Sequence, residues 1–258
     1  MIKHLFSDMD GTVLNSNGQM SEFTIKTIKE SGLPFTLVSA RSPQKMEEII
    51  NNLGIDGIHV AFNGGLIFEK NNKKNTILHS VPLEYNLARR LVLDIRNKFE
   101  NIGISLYDES YWNTDLETMG IKREYNIVKV SYKIVNFKNY FENTNKTIYK
   151  VSFIEHDEEV FKKLINYVEE NYSKEQLTIQ KSLSGYLEIT HINAKKSKGI
   201  EYIQKLEKLE KKGLAKSVPA NGKDKKEYSI TKLGLTVLIE KTRQQLVERQ
   251  PTNSHFMT

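Results

Sequence analysis

One stretch near the N-terminus decides the fold, Phe6-Ser7-Asp8-Met9-Asp10-Gly11-Thr12-Val13-Leu14. Residues 2–7 predict a short buried β-strand that ends at Asp8. Asp8 and Asp10 lie two residues apart just past that strand, so their carboxylates can converge on one site. Carboxylate oxygens bind Mg²⁺, and in such a pair one carboxylate can attack phosphorus while the other transfers protons. The same pattern also occurs in an ordinary Asx turn or in part of a calcium loop.

The residues that follow alternate between strands and helices. Residues 35–38 predict a second strand that ends at Ser39, and residues 58–62 predict a third that ends at Asn63. An amphipathic helix precedes each of these strands, which is the order of a parallel sheet with crossover helices. Open α/β sheets bind ligands at the carboxyl ends of their strands. The polar residues that gather there are Asp8, Asp10, Ser39, Arg41 and Asn63.

In the middle of the chain, strands and helices no longer alternate regularly, and the pattern predicts an α+β insert over residues 81–180. Its expected elements are a helix from Pro82, strands at 102–107, 127–135 and 148–154, and a helix over 157–171. Residues 1–80 and 181–203 then form the α/β core, and residues 187–190 look strand-like. The aromatic residues Tyr107, Tyr111 and Trp112 either line a pocket in the insert or pack in its core, which is the commoner fate of aromatics.

The last quarter of the chain is basic. Residues 195–249 contain 15 Lys and Arg against 7 Asp and Glu, a balance of +8, whereas the whole chain has a net charge of +6. The pattern predicts a helix over 197–212, a β-hairpin around the turn 220–223 and a final helix from Thr231, with a frayed tail over 250–258. Such a segment is either a solvated surface or a contact for an anionic partner such as DNA.

Composition excludes several classes of protein. The 258 residues are 38% hydrophobic and 27% charged, which is typical of a folded domain. The absence of cysteine excludes disulfides, thiolate metal sites and cysteine nucleophiles. No apolar run approaches the roughly 18 residues of a membrane span. Acidic residues begin at Asp8, too early for a signal-peptide core, so the cytoplasm is the expected compartment.

Several short motifs resemble those of the haloacid-dehalogenase superfamily, particularly its Cof-type sugar-phosphate phosphatases. Residues 6–14 look like the first motif, and Val38-Ser39-Ala40-Arg41 resembles the second. Asn63-Gly64 matches a pair that these enzymes often have after the third strand, and Ser197-Lys198-Gly199 resembles the third motif. The insert at 81–180 lies where this subfamily has its cap domain. The resemblance covers residues 1–203 and implies a parallel, Rossmann-like α/β core with an α+β cap.

The resemblance implies a Mg²⁺-dependent phosphatase of small phosphorylated metabolites, such as sugar phosphates, that forms an aspartyl-phosphate. Asp8 would be the nucleophile, and Asp10 would protonate the leaving alcohol and then activate water. Ser39 would hydrogen-bond the phosphoryl group and Lys198 would neutralise its charge, although Ser39 could merely cap a helix and Lys198 could be simply solvated. Mg²⁺ would bind Asp8 and the Asp10 backbone carbonyl. The remaining motif residues would lie on the substrate side: Gly11, Thr12, Arg41, Asn63 and Gly64.

The chain departs from this pattern after residue 203. The family's fourth motif, an acidic cluster that completes the Mg²⁺ site, is absent from the sequence, and the core it belongs to would then be incomplete. The one aspartate after Lys198 is Asp224, which lies among lysines. Residues 204–249 instead resemble the second half of a winged-helix transcription regulator, a helix, a hairpin and a helix. The alternative function is therefore a catalytically weak protein that binds a phosphorylated ligand and contacts DNA; another alternative is a partner chain that supplies the missing strands.

Overall fold

The computed structural model describes residues 2–54, 56–71, 74–143, 146–172, 174–181, 185–213, 215–219 and 226–230. The chain divides into two units, Met1–Ile200 and Glu201–Thr258. Within the described ranges, no helix is both long and apolar enough to cross a membrane.

The first unit begins with the parallel sheet that the sequence predicts. β1 (Leu5–Ser7) pairs in parallel with β2 (Phe35–Leu37). A parallel bridge between Val38 and Val60 brings β3 (Gly57–Ala61) alongside β2. The carboxyl ends of the three strands therefore meet at one edge of the sheet, where the sequence has its polar residues.

Two helices connect these strands, α1 (Glu22–Glu30) and α2 (Pro43–Leu53). α2 begins at Pro43 because the Ser42 hydroxyl accepts a hydrogen bond from the Lys45 N–H at 3.3 Å, and it ends at Gly54, which adopts a left-handed conformation. Full burial of an aliphatic side chain stabilises the fold by about 1.5–3 kcal/mol. The buried residues of α2 are Pro43, Met46, Ile49, Ile50 and Leu53.

An antiparallel hairpin that the sequence does not predict follows β3. β4 (Leu66–Asn71) pairs with β3 and with β5 (Lys74–Ser80). β4 is buried on both faces over its first three residues, so its sequence lacks the alternation of polar and apolar residues that marks a half-exposed strand.

The insert, called the cap here, is a six-stranded sheet with helices. Its helices are α3 (Tyr85–Lys98), α4 (Met119–Val128), α5 (Phe137–Asn143) and α6 (Glu158–Asn171). Its strands are β6 (Gly103–Asp108), β7 (Trp112–Thr114), β8 (Tyr132–Ile134), β9 (Ile148–Ile154), β10 (Leu177–Lys181) and β11 (Tyr186–His191). Their order in the sheet is β10-β11-β9-β6-β7-β8. One buried cluster unites α3, α6 and the central strands, so the cap has its own core.

Two expectations for the cap differ from the structure. The strand predicted over 127–135 is shorter in the structure, because α4 extends to Val128 and β8 covers only Tyr132–Ile134. The Thr118 hydroxyl caps α4 through the Ile121 N–H at 3.3 Å, and Lys129 ends it in a left-handed conformation. The second difference is β11, which lies between β10 and β9 in the cap sheet, although the predicted cap ended at residue 180.

The second unit contains the end of α7 (Lys196–Lys211), followed by β12 (Ala215–Pro219) and β13 (Lys226–Ile230). The two strands pair antiparallel, so the predicted hairpin is present. Its turn, the helix predicted from Thr231 and the tail over 250–258 lie outside the described residues. The winged-helix resemblance is not confirmed, and contact with DNA stays a prediction.

Candidate active site

Asp8 lies directly after β1 and is engaged at both carboxylate oxygens. Oδ2 accepts a hydrogen bond from the Lys196 ammonium at 2.6 Å, and Oδ1 accepts one from the Met9 N–H at 2.7 Å. The Asp8 side chain is 43% exposed and that of Lys196 35% exposed, so solvent and a ligand can reach the pair. An ionised carboxylate with one oxygen beside an ammonium is a nucleophile with a positive charge next to the position of attack.

Asp10 lies two residues further on and faces Arg41. The guanidinium binds both carboxylate oxygens, from Nη2 to Oδ1 at 2.6 Å and from Nε to Oδ2 at 3.1 Å. Such a fork positions both side chains. The sequence placed Arg41 on the substrate side, whereas the structure pairs it with the predicted proton-transfer group. An anionic substrate would therefore compete with Asp10 for Arg41.

The segment Ser39–Arg41 connects the end of β2 to α2. Ser39 is fully buried, and its hydroxyl oxygen accepts a hydrogen bond from the Arg41 N–H at 3.1 Å. Because this contact uses an acceptor lone pair, the Ser39 hydroxyl keeps its own proton for donation. Among the described residues, the Ser39 hydroxyl has no hydrogen bond to the carboxylate of Asp8 or of Asp10.

Asn63 and Gly64 form the turn after β3 and contact the region before α7. Asn63 has a φ of 58° and Gly64 a φ of 100°, values that favour asparagine and glycine. A Cβ on Gly64 would lie 2.3 Å from the Lys195 carbonyl oxygen, so only glycine fits there. The turn therefore fixes the backbone next to Lys196. Gly11 and Thr12, in contrast, lie in an exposed turn beyond Asp10.

Lys196, and not Lys198, takes the position beside Asp8. Lys198 donates to the Asn193 side-chain oxygen at 2.6 Å instead. The phase of α7 explains the difference: a Cβ on Gly199 would lie 2.8 Å from Val60, so Gly199 faces the sheet. Residues three apart share a helix face, so Lys196 lies on the face of Gly199 and Lys198 does not. The glycine in the sequence therefore sets Lys198 apart from the two preceding lysines, and the structure places Lys196 of those two at Asp8.

A polar cluster lies where the cap meets α2. The Lys45 ammonium is 2.5 Å from the Glu124 carboxylate and 3.1 Å from the Tyr107 hydroxyl. Burial alone would raise the pKa of Glu124, but the Lys45 charge and hydrogen bonds from Lys45 and Tyr186 outweigh it, so the pKa is lowered. Tyr107 and Trp112 are 3% and 2% exposed and pack in this boundary, whereas Tyr111 is 41% exposed. The first two are therefore core residues.

The donor set for Mg²⁺ is small. Among the described residues, no three Asp, Glu or His side chains are grouped to bind a metal ion. Mg²⁺ commonly binds one or two carboxylates and completes its shell with substrate phosphate and water. The Asp8 carboxylate and the Asp10 backbone carbonyl, both hard oxygen donors at the end of β1, fit a site of that kind.

Comparison with known proteins identifies the family. Residues 5–215 match the family model for haloacid dehalogenase-like hydrolases. A putative phosphatase of Haemophilus influenzae is 26% identical over 210 residues, which are 79% of this chain and 75% of that protein. A crystal structure from Thermotoga maritima has a TM-score of 0.69 at 19% identity, covering 81% of this chain and 76% of that one.

Another solved structure of the same fold is described as a sugar phosphatase of haloacid dehalogenase subclass IIB. Its TM-score is 0.62 at 16% identity, and the match covers 80% of this chain and 76% of that one. At the level of enzyme class, the prediction of a phosphoric monoester hydrolase is confirmed. From the family match over residues 5–215 and the site built on β1, the chain belongs to the haloacid dehalogenase-like hydrolases.

Proposed function

We propose that this chain is a Mg²⁺-dependent phosphatase of small phosphorylated metabolites, sugar phosphates or similar, that works through an aspartyl-phosphate. The observation that carries the proposal is the contact between Asp8 and Lys196 at 2.6 Å at the end of β1. The relative from Haemophilus influenzae is named a putative phosphatase, and the subclass IIB structure is named a sugar phosphatase, which supports the same class of substrate.

The first step transfers the phosphoryl group to Asp8. A carboxylate oxygen of Asp8 forms a bond to phosphorus as the ester P–O bond breaks, and the electron pair of that bond leaves with the alcohol oxygen. Lys196 neutralises negative charge beside Asp8. The Ser39 hydroxyl, which keeps its own proton, would donate to a phosphoryl oxygen. Mg²⁺, when bound, supplies further positive charge at the phosphoryl oxygens.

Asp10 supplies the protons. In its protonated form it gives a proton to the departing alkoxide, and as a carboxylate it then takes one from the water that hydrolyses the aspartyl-phosphate. Each Asp10 oxygen accepts one N–H of Arg41 and keeps a second lone pair, so Arg41 can position Asp10 while it transfers a proton. A substrate phosphate would compete with Asp10 for the guanidinium.

The test is phosphate release from p-nitrophenyl phosphate with and without Mg²⁺, for the full chain, Asp8→Asn and Asp10→Asn. Asp8→Asn should abolish turnover, because the amide is a poor nucleophile. Asp10→Asn should still release p-nitrophenolate in a burst, since this leaving group needs no proton, and then stall at the aspartyl-phosphate. Steady turnover by Asp8→Asn, or no turnover by the folded wild type, contradicts the proposal. A panel of sugar phosphates then identifies the substrate.

A further inference from the structure

The Ser39–Arg41 segment is held by hydrogen bonds to its three consecutive backbone carbonyl groups. The Ser39 carbonyl accepts from the Asn63 N–H at 2.9 Å, and the Arg41 carbonyl accepts from the Phe62 N–H at 3.0 Å. Both donors belong to the backbone that follows β3. The carbonyl between them, that of Ala40, accepts instead from the ammonium of Lys150 at 3.3 Å. The core therefore holds the two outer carbonyls of this segment, and the cap holds the middle one.

Lys150 lies on β9, and its side chain is buried, 6% exposed. Its ammonium donates to the Glu188 carboxylate at 2.8 Å and lies 5.0 Å from the centre of the Tyr107 ring. Burial of an ammonium group is costly unless it is paired and hydrogen-bonded, and an apolar residue of similar size often serves stability as well or better. The hydrogen bond to the Ala40 carbonyl gives the Lys150 ammonium a role that an apolar side chain of similar size could not perform.

We propose that Lys150 is a positioning residue for the phosphoryl-transfer site, through which the cap fixes the Ser39–Arg41 segment. This inference rests on the proposed function. Lys150 acts through Ala40: with its carbonyl fixed, the flanking Ser39 hydroxyl and Arg41 guanidinium keep their positions relative to Asp8 and Asp10. A misplacement of about 1 Å in such groups can cost about 100-fold in rate. The cap is then part of the catalytic machinery, and it acts from a residue 110 positions away from Ala40 in the sequence.

A second side chain provides a matched control. Gln44 of α2 donates from Nε2 to the carbonyl of Glu109 in the cap at 3.3 Å. Like Lys150, it bonds a backbone carbonyl across the boundary between core and cap, but it does not contact the Ser39–Arg41 segment. Gln44→Met and Lys150→Met therefore each remove one bond between core and cap, and only the second releases Ala40.

The experiment measures the affinity of the full chain for inorganic phosphate by calorimetry, together with kcat and KM for p-nitrophenyl phosphate. We expect Lys150→Met to weaken phosphate binding and to lower kcat by about tenfold or more. Gln44→Met should leave both quantities unchanged.

Two conservative variants serve as further controls. Lys150→Arg, which keeps a cationic donor, should recover much of the loss, and Glu188→Gln, which keeps an acceptor for Lys150, should resemble the wild type. Thermal melting of each variant confirms folding; if Lys150→Met does not fold, the double variant Lys150→Met/Glu188→Gln, which leaves no buried charge without its partner, replaces it.

The outcomes separate this inference from the proposed function. Absence of phosphate binding and turnover in the folded wild type overturns both. Wild-type binding with an unchanged Lys150→Met variant overturns only the role of Lys150. Equal losses in Lys150→Met and Gln44→Met also overturn it, because they indicate a general loosening of the cap. A loss confined to Lys150→Met and relieved in Lys150→Arg supports the positioning role.

Discussion

At the scale of single residues, the site depends on which of three neighbouring lysines lies beside Asp8. Three lysines lie within the run Lys195-Lys196-Ser197-Lys198, and the structure brings Lys196 to Asp8 while Lys198 bonds Asn193. Charge is equivalent at both positions, so the choice is a matter of helix phase. Gly199 against Val60 sets that phase.

The two lysines give opposite predictions for activity. Lys196→Met should lower kcat/KM for p-nitrophenyl phosphate by about 100-fold or more, the usual cost of removing one group that stabilises the transition state. Lys198→Met should change it little, since it loses a bond to the exposed Asn193 side chain. Side-by-side kinetics at equal Mg²⁺ decides the matter. A larger loss in Lys198→Met than in Lys196→Met would contradict the assignment.

At the scale of elements, β3 contains a histidine whose burial makes the free energy of unfolding depend on pH. His59 is 1% exposed, and its Nδ1 accepts a hydrogen bond from the Leu37 N–H of β2 at 3.2 Å. Burial, with a smaller contribution from the Lys70 charge, lowers the pKa of His59 from 6.5 to about 4. The folded protein therefore keeps this ring neutral in a pH range where the unfolded chain protonates it.

This difference predicts a loss of stability in mild acid. Because the folded pKa lies below the unfolded one, the contribution of His59 is complete above pH 6.5 and is lost as the pH falls towards 4. Over that window the free energy of unfolding should fall by up to about 3 kcal/mol from this residue. Urea unfolding of the wild type and His59→Asn at several pH values measures the effect. Parallel pH profiles of the two proteins would disprove it.

The elements also show how far the sequence predicts the fold. The parallel pairing of β1 and β2, and the meeting of Asp8, Ser39 and Asn63 at one edge, follow from strand–helix alternation alone. β4 is not predicted because it lacks alternation, and the strand predicted over 127–135 begins too early because α4 extends to Val128. The contact of Lys150 with Ala40 could not be predicted, since it depends on how the cap packs on the core.

At the scale of the whole molecule, the boundary between cap and core contains a buried ion pair beside packed apolar and aromatic side chains. Lys45 of α2 is 6% exposed and Glu124 of α4 is 15% exposed. An apolar contact would avoid the cost of desolvating two charges. The ion pair of Lys45 and Glu124 therefore contributes less to the free energy of unfolding than its burial suggests. Removal of either charge would leave the other buried without a partner.

That dependence predicts a strong effect of breaking the pair. Lys45→Met leaves the Glu124 carboxylate buried without its partner charge, so the free energy of unfolding should fall by about 3–5 kcal/mol. The double variant Lys45→Met/Glu124→Leu should recover most of that loss, because neither charge is then left alone. Urea unfolding at neutral pH compares the three proteins. A double variant as unstable as the single one would contradict this account.

The pair of Asp8 and Lys196 also has a consequence for synthesis of the protein. The two residues are 188 positions apart, and the whole cap lies between them. A ribosome therefore completes both acids of the β1 edge long before it adds the base that faces Asp8. Folding of the cap as its own body brings the two ends of this long loop together and lowers the entropy cost of closing it. A chain released before residue 196 would have the core strands and the acids and would lack the counter-charge, so the site matures only after Lys196 has been added.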